Sequence, residues 1–266
     1  MKMKRLFALL LAVMMLATCF TGCSNEEDQK KVVVVGYTLY APMNYKDESG
    51  KLVGFDTELA EAVFKNLGYE VIFQEIDWNS KYTDLDSGTI DCVWNGFTCN
   101  TADDDGKMRS EKVDFSYKYM ENYQVVVAKK DSGITSAADL NGKLAAVEGG
   151  SAGETYAKSF EGVTIKSATK QTDCLFDVNA GAADFAVLDA QLAKSYAGKG
   201  DYSNLVIIDG LSSEVEYYAI GFKKGSDLTA KVNAELEKLA ADGTIAKLAE
   251  KYDVDQTVIT DFSDQK

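Results

Sequence analysis

The sequence predicts an α/β protein of two lobes, in which mainly parallel sheets are flanked by helices. Short β-branched runs such as "KVVVVG" and "YQVVVAKK" are typical of buried strands, and apolar stretches with helical spacing follow them. This alternation of strand and helix occurs twice, in units of about 90 residues each. Hydrophobic residues make up 46% of the chain, which is enough to form a core.

The first unit is predicted to run strand–helix–strand–helix–strand. Its strands are "KVVVVG", "EVIFQEI" and "DCVWNGF". Between the first two, "GFDTELAEAVFKNLGYE" is a helix, because Leu59, Val63 and Leu67 recur at helical spacing and Gly68 ends the pattern. "YTDLDSGTI" predicts a short helix with a turn before the third strand.

The second unit repeats the pattern, and two helices close the chain. Its predicted strands are "YQVVVAKK", "KLAAVEGG", "VTIKSA" and "ADFAVLD". Its predicted helices are "SAADLNG", "SAGETYAKSF", "TDCLFDVNAGA" and "AQLAKSYAG". "YYAIGFKKG" then returns as an extended segment, and "DLTAKVNAELEKLAADGTIAKLAEKYD" forms two helices separated at Gly243.

The N-terminus predicts secretion. "MKMKR" is basic, the apolar run after it is too short to span a bilayer, and "FTGC" follows. This end resembles the lipobox of bacterial lipoproteins, so residues 1–22 are interpreted as a lipoprotein signal peptide. Cys23 is the expected lipidation site, and residues 23–31 are a polar tether. Ordinary cleavage without lipid is the alternative.

Composition excludes several classes of function. The net charge of −14 argues against a nucleic-acid partner, because phosphate binding requires a basic surface. The absence of histidine excludes Ser-His-Asp and Cys-His catalysis and histidine-based metal sites, so we expect neither a metal nor a cofactor. Cys92, Cys99 and Cys174 remain after the leader. Three free, mostly buried thiols are favoured over a Cys92–Cys99 disulfide.

Six motifs in order resemble a known family: "GFDTELAEAV", "GTIDCVWNGFT", "RSEKVDFSYKY", "ADLNGKLAAVEGGS", "AGAADFAVLDA" and "FKKGSDLTAKVNAELEKLAADGTIAKLAEKY". They are similar to bacterial extracellular solute-binding proteins for polar amino acids, which serve ABC importers and have the type II periplasmic-binding-protein fold. The resemblance implies a Venus-flytrap architecture with two extended crossovers, near 121–125 and 217–222. It assigns residues 32–121 plus 217–266 to the first lobe and 122–216 to the second.

The resemblance also implies how the first lobe binds its ligand. Arg109 is the only arginine after the leader, and it matches the family arginine that precedes "VDFS". A guanidinium offers a planar fork of donors to a carboxylate, which lysine does not. Gly96 and Thr98 match positions that hold the bound amino acid. The segment "CNTADDDGKM" is longer than in the family, and whether this insertion bulges outward or displaces Arg109 is open. A surface arginine is the alternative.

In the second lobe, Gly150, Ser151 and Ala152 are expected to complete the carboxylate site with free amide groups at a helix start. A simple turn and N-cap are the alternative. Asp189 matches the family aspartate for the α-ammonium group and lies at the end of a predicted strand, where open α/β sheets bind ligands. It could also cap the helix that follows.

The remaining predicted contacts belong to the ligand side chain. Tyr40 matches an aromatic residue that packs over the ligand. Tyr37 lies where binders of cationic amino acids often carry an acid, which disfavours lysine, arginine and histidine. Trp78 and Trp94 are expected at the side-chain end, with Asn95 as a polar contact, although Trp94 could equally be core. Cystine, glutamine and small polar amino acids stay open.

The resemblance implies a monomeric, lipid-anchored, extracytoplasmic protein that hands a captured amino acid to an ABC permease. No bond is made or broken. One alternative is a ligand-sensing lipoprotein. The other is an enzyme on the same scaffold, such as a dehydratase or a lytic transglycosylase, for which Asp77 and Glu148 are the candidate carboxylates. Asp77 could instead cap a turn, and Glu148 could be solvated.

Overall fold

The computed structural model describes residues 31–265. The predicted lipidation site Cys23, the signal peptide 1–22 and nearly all of the predicted tether 23–31 lie outside these residues. Within the described part, no helix has the length and apolar character needed to cross a membrane.

The described residues form short strands and helices in alternation. The strands are β1 Lys31–Tyr37, β2 Tyr45–Lys46, β3 Leu52–Val53, β4 Tyr69–Glu75, β5 Cys92–Val93, β6 Asp114–Phe115, β7 Met120–Asn122, β8 Gln124–Lys129, β9 Leu144–Glu148, β10 Thr164–Ala168, β11 Phe185–Asp189, β12 Leu205–Ser212, β13 Glu216–Tyr218 and β14 Gly221–Phe222. The α-helices are α1 Phe55–Asn66, α2 Lys81–Ser87, α3 Arg109–Lys112, α4 Ala152–Lys158, α5 Gln171–Ala180, α6 Ala190–Tyr196, α7 Leu228–Ala241 and α8 Thr244–Lys251.

Two five-stranded sheets define the two lobes. The first has the order β4-β1-β5-β14-β6 and the second β10-β9-β11-β8-β12. The α/β class is therefore confirmed. The expectation of mainly parallel sheets needs correction, because β8 pairs antiparallel with both β11 and β12, and β14 pairs antiparallel with β5 and β6. These antiparallel pairs arise where the chain crosses between lobes and re-enters a sheet from the opposite side.

The chain crosses between the sheets along two extended segments that lie side by side. β7 connects the first sheet to the second, β13 leads back, and the two pair antiparallel with Glu216 opposite Asn122 and Tyr218 opposite Met120. Both predicted crossovers are present. Because they carry ladder hydrogen bonds to each other, they form a two-stranded connection from which side chains of both segments reach the space between the lobes.

Helices cover both sheets with apolar faces. α1 buries Leu59, Val63 and Phe64, as its helical spacing predicts. Gly243, in the left-handed region at φ 81°, separates α7 from α8 at the predicted break. Strand β12 was missed, although "NLVIID" carries a β-branched run typical of a strand. Cys92, Cys99 and Cys174 are free and buried, as expected.

Candidate functional site

A small closed cavity lies between the lobes, at the ends of strands from both. The first lobe lines it with Trp78, Asn95, Gly96, Thr98 and Arg109. The second lobe lines it with Glu148, Ser151, Ala152, Gln171 and Asp189. The cavity holds about 10 Å³, room for about one water molecule. Larger surface hollows exist, including one of about 750 Å³, but they do not bring these residues together.

Arg109 begins α3 and is almost completely buried, with 1% of its side chain exposed. Its Nε donates to Asp103 Oδ1 at 2.8 Å, Nη1 to the Thr98 carbonyl at 3.1 Å and Nη2 to the Gly150 carbonyl at 3.2 Å. The guanidinium also lies 5.3 Å from the ring centroid of Phe97. Since a guanidinium carries five N–H donors, some donors remain for a further acceptor in the cavity. Arg109 therefore contacts both lobes and is not a surface residue.

The acidic insertion folds inward onto Arg109. Besides Arg109, Asp103 accepts hydrogen bonds from Lys112 Nζ at 2.8 Å and from the Tyr82 hydroxyl at 2.6 Å. Burial alone would raise the pKa of Asp103, but the charge of Arg109 and these hydrogen bonds lower it to about 2. Asp104 forms an ion pair with Lys158 of α4 at 2.5 Å. The insertion therefore holds Arg109 at the cavity, and it contacts both lobes.

Hydrogen bonds with Glu154 of α4 satisfy polar groups of the turn that precedes this helix. Ser151 is the N-cap, and its hydroxyl accepts a hydrogen bond from the Glu154 amide at 3.0 Å. The Gly150 amide donates to Glu154 Oε2 at 2.6 Å. The N-cap interpretation of Ser151 is therefore confirmed. Ser151 and Ala152 also line the cavity, so the capping role leaves them at the site.

Asp189 ends β11 with its carboxylate buried among side-chain amides. Oδ1 accepts from Asn122 Nδ2 at 2.7 Å and from Gln124 Nε2 at 2.6 Å, and Oδ2 accepts from Gln171 Nε2. Burial raises the pKa of Asp189, and these hydrogen bonds oppose the rise. Its side chain makes no capping hydrogen bond to α6. None of the three amides is charged, so they fix the position of the carboxylate without neutralising it.

Glu216 of β13 lies beside Asp189 and shares a partner with it. Its Oε2 accepts from Thr98 Oγ1 at 2.9 Å and from Gln124 Nε2 at 3.0 Å. Burial raises the pKa of Glu216, and the charge of Asp189 adds to that rise. The hydroxyl of Thr98, predicted to hold the ligand, is therefore used to connect the first lobe to the second crossover.

Glu148 is the last residue of β9 and is only 3% exposed. Its Oε1 makes no hydrogen bond with any residue from 31 to 265. Burial, with a further contribution from the charge of Asp189, raises the pKa of Glu148 to about 8. The alternative to a catalytic role, a solvated Glu148, is therefore wrong.

Lys81 of α2 is a second buried cation near the cavity, with 2% exposed. Its Nζ donates to the carbonyls of Trp78 and Gly150, each at 3.1 Å, and lies 4.7 Å from the ring centroid of Tyr82. Burial, and then the charge of Arg109, lower the pKa of Lys81 to about 7. Lys81 therefore joins the two lobes through a backbone carbonyl, as Arg109 does.

The backbone at Gly96 lines the cavity, and two tyrosines pack against Gly96. Gly96 has φ 59°, and its amide donates to Asp56 Oδ2 at 2.8 Å. A Cβ there would lie 2.7 Å from Tyr40 Cε1 and 3.0 Å from Tyr218 Cε2. The hydroxyls of these tyrosines are hydrogen-bonded at 2.6 Å. Tyr40 thus packs against Gly96 and Tyr218 and is not among the lining residues.

Asn95 lines the cavity, but its side chain is committed to the first lobe. Its Oδ1 accepts from the Thr38 amide at 3.0 Å and from the Thr38 hydroxyl at 2.8 Å. Its Nδ2 donates to the Thr38 carbonyl at 2.8 Å and to Asn44 Oδ1 at 2.7 Å. Because an amide side chain has two donors and two acceptor lone pairs, little capacity is left for a polar group of a ligand.

The predicted aromatic contacts separate into two groups. Trp78 lines the cavity and packs edge-on against Phe97, with centroids 5.2 Å apart. Trp94 is fully buried and packs against Phe64 at 6.1 Å, as its core interpretation predicts. Tyr37 packs edge-on against Phe73 at 6.2 Å and does not line the cavity. The reason for disfavouring a cationic ligand therefore rests on a residue away from the cavity.

Five residues at or near the cavity were not predicted as ligand contacts: Lys81, Asp103, Glu148, Gln171 and Glu216. Glu148 could have been found as a ligand contact, since it ends a predicted strand as Asp189 does. For the other four residues, the sequence offered no comparable indication of a ligand contact. Asp77, the second candidate catalytic carboxylate, is exposed and accepts a hydrogen bond from the Asn79 amide at 2.9 Å, as its capping interpretation predicts.

Comparison with known proteins identifies relatives along nearly the whole chain. The family of bacterial extracellular solute-binding proteins, family 3, matches residues 32–255. The chain is 34% identical to the arginine-binding extracellular protein ArtP of Bacillus subtilis (strain 168), over 94% of this chain and 98% of ArtP. It is 30% identical to the L-cystine-binding protein TcyA of the same organism, over 94% of this chain and 97% of TcyA.

Solved structures share the fold. A crystal structure of the substrate binding protein of an amino acid ABC transporter superposes with a TM-score of 0.76 and is 33% identical. That match covers 83% of this chain and 98% of the other.

Proposed function

Because the chain belongs to the bacterial extracellular solute-binding proteins of family 3, we propose that it captures one amino acid between its lobes and delivers it to an ABC permease. The observation that carries this proposal is that Arg109 and Asp189 line one cavity from different lobes. An amino acid carries a carboxylate and an ammonium group a short distance apart. A buried guanidinium and a buried carboxylate are the matching partners.

Arg109 is proposed to bind the α-carboxylate. Its contacts with Asp103, Thr98 and Gly150 fix the plane of the guanidinium and leave N–H groups free for a carboxylate oxygen. Ser151 and Ala152 are proposed to support the same carboxylate from the second lobe, because they line the cavity next to Arg109.

Asp189 is proposed to bind the α-ammonium group. Its three amide partners hold the carboxylate in place but supply no positive charge. An ammonium group in the cavity would supply that charge and lower the raised pKa of Asp189. Gly96 would let the main chain approach the ligand, since it lines the cavity without a side chain.

Capture requires the lobes to separate, since the cavity holds about 10 Å³ and an amino acid is several times larger than a water molecule. A ligand that contacts both lobes binds the closed arrangement more tightly than the open one and shifts the population toward closure. We propose that hinge motion occurs in the paired segments β7 and β13, which connect the two sheets.

The finer features follow from the same proposal. We propose lobes of 32–121 plus 217–266 and of 122–216, a cleaved signal peptide 1–22, and a monomer anchored outside the cytoplasm by lipid at Cys23. A ligand-sensing lipoprotein would use the same cavity without a permease. The dehydratase alternative is not favoured, because the relatives named above are binding proteins.

Thermal melting tests the proposal. The protein would be freed of co-purified ligand by unfolding and refolding, then melted with each amino acid and with cystine. A ligand at a thousand times its Kd adds about 4 kcal/mol of stability, or about 8–16 °C for a domain of this size. Arg109→Lys should still fold without ligand and lose about half of that shift or more. No shift with any amino acid would refute amino-acid capture.

A further inference from the structure

Glu148 presents a buried carboxylate oxygen to the cavity without a partner. The residue is 3% exposed, ends β9 and lines the cavity together with Trp78 and Gln171. Its Oε1 makes no hydrogen bond within residues 31–265. Buried polar atoms are nearly always hydrogen-bonded, and each exception requires a physical explanation.

The neighbouring donors also serve other acceptors. Gln171 uses Nε2 on Asp189 Oδ2 and accepts the Asp189 amide on Oε1 at 2.9 Å. The Thr38 hydroxyl donates to Asn95 Oδ1 at 2.8 Å. Lys81 Nζ donates to the carbonyls of Trp78 and Gly150. Thr38 and Gln171 also contribute hydrogen bonds to the Glu148 carboxyl. Oε1 still has no partner among residues 31–265, so a group that enters the cavity can supply one.

The backbone of a bound amino acid does not supply that partner. On the function proposed above, its ammonium group is taken by Asp189 and its carboxylate by Arg109. A zwitterion with a neutral side chain adds no net charge, so it would leave the buried Glu148 carboxyl in its protonated, uncharged form. A ligand side chain that ends in a cation would instead stabilise the ionised carboxylate, because a buried charge is tolerated when it is paired.

We propose that Glu148 selects an amino acid with a positively charged side chain, whose guanidinium or ammonium group pairs with this carboxylate. The proposal rests on the proposed function and adds the chemical class of the ligand. Trp78 suits the same ligand, because its indole lines the cavity and offers apolar and π surface to a long side chain that ends in a cation.

Arginine and citrulline provide the sharpest test. Citrulline has the shape of arginine, but an uncharged urea group replaces the guanidinium. We expect the refolded wild-type protein to bind arginine at least about 30-fold more tightly than citrulline, since removing one partner of a buried ion pair costs about 2 kcal/mol or more. Equal affinities for the two, measured by calorimetric titration, would overturn the proposal.

The Glu148→Gln variant tests whether Glu148 is the source of this selectivity. We expect the variant to lose at least about 10-fold in arginine affinity and to keep citrulline affinity within about threefold, so that the preference collapses. The control is Glu161→Gln, which removes one exposed carboxylate of the same lobe and should keep the wild-type preference. A Glu148→Gln variant that keeps the full preference would also overturn the proposal.

The experiment separates the two levels of inference. If the wild-type protein binds glutamine or cystine and no cationic amino acid, amino-acid capture stands and the role of Glu148 is refuted. If no amino acid binds at all, the proposed function fails and the selectivity proposal fails with it.

Discussion

Replacing Glu148 by Gln should change how the stability of the ligand-free protein depends on pH. The carboxyl group is buried and its pKa is raised from 4.5 to about 8. In the unfolded chain the pKa returns to its ordinary value. Between these two values the folded protein holds one proton more than the unfolded protein, so raising the pH favours unfolding. Glutamine has the same shape and does not titrate.

The magnitude follows from the size of the shift. Each unit of pKa difference corresponds to about 1.4 kcal/mol, so the full shift from 4.5 to about 8 corresponds to a loss on the order of 5 kcal/mol in the wild-type protein. The loss begins above pH 4.5, reaches about 3 kcal/mol near pH 7 and is complete above about pH 8. Below pH 4.5 both proteins are uncharged at this position, and their difference is constant.

Urea unfolding at pH 5, 7 and 9 measures this difference. The free energy of unfolding is obtained for each protein by linear extrapolation, and the wild-type value is subtracted from that of Glu148→Gln. Groups that titrate alike in both proteins, such as Asp56 with a pKa of about 7, cancel in the subtraction. The difference should grow in favour of the variant as the pH rises.

A flat difference would refute the reasoning. If the free energies of the two proteins differ by the same amount at pH 5 and pH 9, within about 0.5 kcal/mol, Glu148 is not a buried acid with a raised pKa. Glu161→Gln, which removes an exposed carboxylate of the same lobe, is measured beside it as the matched control.

Two further substitutions test other parts of the cavity. Asp189→Asn should weaken binding of any amino acid by about 30-fold or more in calorimetric titration. The ligand-free melting midpoint should stay close to wild type, because losing an acceptor for Gln171 is offset by removing a buried charge. Unchanged affinity would contradict the ammonium assignment. Gly96→Ala should destabilise the fold by about 2–5 kcal/mol in urea, from its φ of 59° and the 2.7 Å approach to Tyr40. Gly88→Ala has φ 74° with open space around its Cβ, so an equal loss there would show that the contact is unimportant.

Much of the fold was predictable because its signals are local. The helical spacing of Leu59 and Val63 in α1 and the break at Gly243 depend on residues close in sequence. The antiparallel pairing of β8 was not predictable in this way. It depends on the direction in which the chain enters the second sheet after crossing between lobes, which no local pattern contains.

The cavity was predictable in part. Arg109, Asp189 and Gly96 were identified through their chemistry and their resemblance to family positions, and they line the same cavity. Tyr37 and Trp94 had similar arguments but lie elsewhere, because an aromatic residue suits a core as well as a ligand site. Residue type alone does not distinguish the two environments.

The sequence by itself determined the α/β class, the family and the presence of one guanidinium among residues 31–265, because these depend on composition, periodicity and motifs in order. Only the tertiary structure decided that Asp103 turns inward onto Arg109 and that Glu148 is buried with its Oε1 unpartnered among residues 31–265. The physical reason is that burial and pairing of a charge are set by residues of both lobes. A carboxylate in a sequence is solvated by default, and it becomes a specificity residue only when distant segments close around it.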